Sequence, residues 1–80
     1  MTNRQLVKKY ESLQKQASKL TNWFCDNGMG DLRPSDMRDL KNPCEEVVKY
    51  LKILDELFSL KSEAERRYGP ELVSVRSLLR

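Results

Sequence analysis

Histidine is absent from the 80 residues of this chain. With it go the Ser-His and Cys-His nucleophile pairs, the HExxH metal site and the usual proton shuttle near neutral pH. Carboxylate, lysine and tyrosine chemistry remains. Small-molecule sites, however, generally need a pocket on the order of several hundred Å³, and a helical core this small offers little room for one. The sequence therefore predicts a protein that is not an enzyme, with no cofactor, no metal and no bound nucleotide.

Cysteine is scarce as well. Cys25 and Cys44 are too few for the disulfide framework of a secreted miniprotein, and they do not form a CxxC pair. They are expected as reduced thiols flanking one loop, close enough to approach each other if the chain folds back as a hairpin. Cys44, expected in the first turn of a helix, is the more reactive of the two.

Long apolar runs are missing too, since none approaches the roughly 18 residues that span a bilayer. The N-terminus leads from Met1 straight into a polar amphipathic pattern without the apolar core of a signal peptide, so a cytoplasmic protein is expected. With 39% apolar and 34% charged residues the composition is that of a folded domain. Eighty residues make one domain, 1–80, and a chain of that size buries only about 60–65% of its unfolded surface. A core so thin calls for a further source of stability, such as a homodimer.

What is present is organised around the stretch from Asn42 to Gly69. Asn42 can cap a helix, Pro43 fits its first position, and Glu45 stands three residues after the cap. Val47, Leu51, Leu54 and Phe58 form one apolar row, and Tyr50, Ile53, Leu57 and Leu60 form another. Two rows are too broad for one partner helix. A central helix over Pro43 to Tyr68 should be covered on one side by an N-terminal helix and on the other by a C-terminal helix or a second molecule.

The N-terminal segment, Asn3 to Asn27, repeats apolar residues at Leu6, Tyr10, Leu13, Ala17, Leu20 and Phe24, a heptad seam. Thr2 or Asn3 can cap it, and Gly28 can take the left-handed conformation that closes it. In the connection, Ser35 can cap a short helical turn over Asp36 to Leu40, with Leu32, Met37 and Leu40 toward the core. After the break at Gly69-Pro70, a helix with Leu72, Val75 and Leu79 on one face, and Val73 and Leu78 beside it, is favoured over a strand with nothing to pair with. The predicted fold is all-α: an antiparallel helical hairpin with a short C-terminal third helix.

Two surfaces are candidates for function. Trp23, Met29, Leu32, Arg33, Met37 and Arg38 bring side-chain types enriched at protein interfaces to the hairpin tip, though Trp23 and the methionines also suit the closing of a core. Arg4, Lys8, Lys15 and Lys19 line one side of the first segment, which holds the whole formal charge of +3. A row of cations can neutralise phosphates, but Glu11 interrupts it and the charge is mild for a DNA-binding domain. A helix-turn-helix reading with Arg33 and Arg38 on the recognition helix asks for a tighter turn and is opposed by Asp36 and Asp39. Gly28-Met29-Gly30 lacks the strand and lysine of a phosphate loop, and Asp31, Asp36 and Asp39 lack calcium-loop spacing. Glu63, Arg66 and Arg67 read as ordinary helix-end electrostatics.

The function these residues favour is a small protein-binding module acting as a regulator, adaptor or inhibitor by occlusion, with a protein partner of unknown identity. Small helical proteins of this kind are often carried by phages and mobile elements, an expectation from size and class alone. The alternative is a nucleic-acid-binding regulator using the basic face of the first helix, doubled in a dimer.

Overall fold

The computed structural model of the chain describes residues 1–79, and no strand occurs among them. Its α1 spans Asn3–Asp26, α2 Pro34–Arg38 and α3 Glu45–Tyr68, and a 3-10 helix spans Val75–Leu79. The two long helices run antiparallel in a body 40 Å long and 20 Å across. This is the predicted all-α hairpin, with differences at three of its ends.

Both ends of α1 are made by local chemistry. Thr2 Oγ1 accepts from the Gln5 backbone N–H at 3.2 Å, and Gln5 Oε1 accepts from the Thr2 N–H at 2.9 Å. This reciprocal pair satisfies two N–H groups that the helix itself cannot. At the other end Gly28 adopts φ +73°, Met29 N–H reaches the Phe24 carbonyl at 2.7 Å and Gly28 N–H the Cys25 carbonyl at 3.3 Å. That is a Schellman closure, which needs a left-handed residue and receives glycine.

The short α2 begins at Pro34, two residues before the predicted Asp36. Proline's fixed φ is ready-made for the first helical position, and it holds Arg33 before it in an extended conformation. The Asp36 carboxylate then accepts the Arg33 backbone N–H at 3.1 Å, a cap that displaces the expected one at Ser35. On α3 the shift is the reverse. The helix starts at Glu45, with Cys44 as the extended cap residue, so Asn42 does not cap and Pro43 stays outside. The later start sets Glu45 and Glu46 in the first turn, where carboxylates oppose the helix dipole. Cys44 therefore lies at the cap, not within the first turn.

The largest difference is at the C-terminus. No α-helix starts at Pro70: the chain turns at Gly69, runs without regular structure through Leu72–Ser74 and ends in the 3-10 helix. Helix nucleation is costly, and the β-branched Val73 and Val75 flanking Ser74 are poor helix formers. In a 3-10 helix residues three apart eclipse each other, so Val75 and Leu78 share the buried face. The expected Leu72, Val75 and Leu79 face is not formed. Leu79 is exposed, Leu72 is half-buried, and Val73 is 93% exposed.

Two apolar clusters hold the hairpin together. The larger joins Leu6, Val7 and Leu13 of α1, Ile53, Leu60 and Ala64 of α3, and Val75 and Leu78 of the tail. The smaller, at the tip, joins Phe24, Met37 and Val47. The heptad seam of α1 thus faces inward as predicted, with Val7 added because the tail lies over it. On α3 the row through Ile53 and Leu60 is the interior one and extends to Ala64. The other row divides. Val47 is buried in the tip cluster with Met37 of α2, Leu51 and Leu54 are half-buried, and Phe58 is 74% exposed. The start of this row is covered by α2, and not by a C-terminal helix as anticipated.

Candidate functional site

The hairpin tip is built as a core. Phe24 is packed edge-on between Trp23 (ring centroids 5.5 Å apart) and Tyr50 (5.3 Å), the perpendicular arrangement that aromatic quadrupoles favour. Met37 is buried, and Trp23, Met29 and Leu32 are half-buried against the same cluster. Of the six tip residues singled out in the sequence, only the two arginines stand in solvent. Arg38 Nη2 lies 2.8 Å from Asp55 Oδ1, and Arg33 Nε lies 3.7 Å from Asp36 Oδ2.

The cations of α1 lie where the sequence put them. Arg4, Lys8, Lys15 and Lys19 are all exposed, and none has a carboxylate partner among the described residues. Cys25 and Cys44 are both exposed and free.

At the opposite end from the tip, Arg67 ties three segments together. Its guanidinium donates to Glu63 Oε1 (3.1 Å), to the Asn3 side-chain oxygen (2.9 Å) and to the Met1 carbonyl (2.8 Å). Asn3 in turn donates to the Leu78 carbonyl at 3.5 Å, so the N-terminus, α3 and the tail meet at one node. The hydrogen bond from Arg67, followed by the charge of Arg66, holds the Glu63 carboxyl below the usual carboxylate range.

Between these two closed ends lies a groove of about 990 Å³ bounded by α1, α3 and the start of the tail. Val7, Tyr10, Ala17, Leu57, Leu72 and Val75 give it an apolar floor. Lys15 and Lys19 on α1, Lys61 on α3 and Arg76 on the tail stand around it with a single carboxylate, Glu11, 3.9 Å from Arg76. Val73 projects at its lip, and Phe58 follows Leu57 one residue on along α3. Sequence reasoning placed Leu57 in an apolar row and Lys15 and Lys19 in a basic face. It did not join them, because the groove exists only once the tail docks, and that docking has no local signature. Arg76, Lys61 and Val73 were missed for the same reason.

Fold and groove together define a small all-α hairpin with an open groove along one side. No protein-family model matches the chain, and no curated protein or solved structure shows significant similarity to it.

Proposed function

We propose that the protein is a non-enzymatic protein-binding module, working as an adaptor, regulator or inhibitor, and that it binds its partner in the side groove and not at the tip. The observation that carries this reading is the groove's composition: an apolar floor left open, an almost fully exposed valine at its lip and a ring of cations outside. An apolar centre with a polar rim is the anatomy of a protein interface. The exposed area supports it. The chain presents 6082 Å² to solvent, about a fifth more than is usual for a monomer of its mass. That excess, about 1,000 Å², is of the order that one partner covers in a standard-size interface.

Because the tail is docked on its own hairpin, with Val75 and Leu78 buried in the larger cluster, we favour the groove over the C-terminal segment as the surface that meets the partner. A second reading, nucleic-acid binding, draws on the four unpaired cations of α1: Arg4 and Lys8, and the groove-side Lys15 and Lys19. Affinity capture from cell extract, with and without nuclease, separates the two when the wild-type protein is compared with Val73→Asp. A partner retained after nuclease and lost in V73D supports the groove. A partner that vanishes with nuclease and ignores V73D overturns it in favour of nucleic acid.

A further inference from the structure

Resting on the reading of the groove as a protein-binding site, we propose that its occupant is an acidic amphipathic helix of about three turns, apolar on one face and flanked by Asp and Glu. Length, backbone chemistry and charge each narrow the choice. Along α1 the groove runs from Val7 to Lys19, twelve residue steps that span roughly 18 Å at helical rise, which matches about three turns of a second helix. Its walls on α1 and α3 are helices whose backbone N–H and C=O groups are already paired. An extended peptide therefore finds no strand edge to add to, whereas a helix needs only side-chain contact. The concave floor between two helices suits an apolar stripe spaced three and four residues apart.

Charge fixes the sign of the partner. Around the groove stand Lys15, Lys19, Lys61 and Arg76 against Glu11 alone. Four cations and one anion leave a surplus of three, equal to the net charge of the whole chain. Over the remaining residues the formal charges sum to zero. Among the described residues Lys15, Lys19 and Lys61 have no carboxylate partner, so an incoming Asp or Glu meets unpaired ammonium groups from opposite walls. Phosphates would satisfy these cations too, but nucleic acid offers nothing comparable to cover Leu57, Leu72 and Val73. The apolar floor favours a peptide.

The test uses the full chain and three synthetic peptides of about three to four turns. One has Leu on one face and Glu on its flanks, the second carries Lys in place of Glu, and the third has the acidic composition scrambled so that no apolar face forms. The acidic amphipathic peptide is expected to bind and to shift the amide resonances of Tyr10, Gln14, Ala17, Leu57, Lys61 and Val73. Its affinity should fall at least about tenfold in the Lys15→Glu, Lys61→Glu double variant and weaken as salt is raised. Both lysines are on exposed helix surface, and circular dichroism will show that the variant stays folded. If the Lys peptide binds as tightly at the same residues, or the double variant binds the acidic peptide unchanged, the acidic partner is wrong while the protein-binding groove stands. If no peptide binds and a DNA duplex instead shifts Arg4, Lys8, Lys15 and Lys19, both readings fall.

Discussion

The two ends of this hairpin are closed by opposite means, and the contrast shows where a partner surface is left. At the tip, aromatic rings and α2 make a small apolar core of Phe24, Met37 and Val47. At the other end, a 3-10 tail and a guanidinium node seal the helices, with Arg67 holding Met1, Asn3 and Glu63 at once. Between them neither device reaches, and the groove stays open. Residue types that mark interfaces by statistics, such as Trp23, Met29 and Met37, are used here to close an end. The open side is lined by two leucines, an alanine, a tyrosine and three valines, and it is known by what fails to cover it.

Removing residues 71–80 breaks the comparison most severely. The larger cluster would lose Val75 and Leu78, and the loss of several kcal/mol is comparable with the whole stability of a domain this small. Urea denaturation followed by circular dichroism should show no cooperative transition for the truncated chain. A transition matching the full-length protein would mean that the tail closes nothing.

Truncating one residue at each end comes next. Leu6→Ala and Phe24→Ala should each cost about 3 kcal/mol, from lost burial plus the cavity left behind. The two sites are eighteen residues apart on α1, roughly 27 Å at helical rise, so the milder pair Leu6→Val and Phe24→Leu, about 1 kcal/mol each, should be additive within about 0.5 kcal/mol. Strong coupling in equilibrium denaturation would show that the two clusters are one.

The polar node contributes less. Arg67→Met keeps the aliphatic stem and removes the hydrogen bonds, at about 1 kcal/mol in thermal denaturation near neutral pH. The same node is sensitive to acid. Glu63 titrates below its unfolded value, so the stability it contributes is present above the unfolded carboxylate pKa and is lost as pH falls through the lower folded one. In a pH series of melting temperatures, Glu63→Gln should flatten the acid side of the profile. An unchanged slope removes Glu63 from the account.

The smallest effect is expected at Phe58→Ser. A side chain already 74% exposed gives up little on replacement, and the folding free energy should change by no more than about 0.5 kcal/mol. A loss of 2 kcal/mol or more would mean that Phe58 is covered in solution by something other than the hairpin.

Most of the fold was legible in the sequence because it rests on local and periodic signals. The α1 seam, the glycine at its end and the two apolar rows of α3 depend on residues within a few turns of each other. The helix starts moved by two residues where several capping schemes competed over the same positions, as at Asn42, Pro43 and Cys44. The tail carries the expected short third helix, but its later start at Val75 and its 3-10 form follow from docking. Val75 and Leu78 are three apart, a spacing common to α and 3-10 helices, and only packing against the core shared by α1 and α3 selects between them. The candidate site was the least legible part. Tyr10 and Ala17 come from one segment, Leu57 and Lys61 from a second, Leu72 and Arg76 from a third, and no spacing along the chain links them.

The most direct test of closed ends and an open middle is a map of amide and indole resonances as the acidic amphipathic peptide is added. The account predicts the largest shifts at Tyr10, Ala17, Leu57, Lys61 and Val73, with the Trp23 indole and the Met29 and Arg33 amides unmoved. Shifts concentrated on Trp23, Met29 and Arg33, with the groove silent, would contradict it and return the binding surface to the tip.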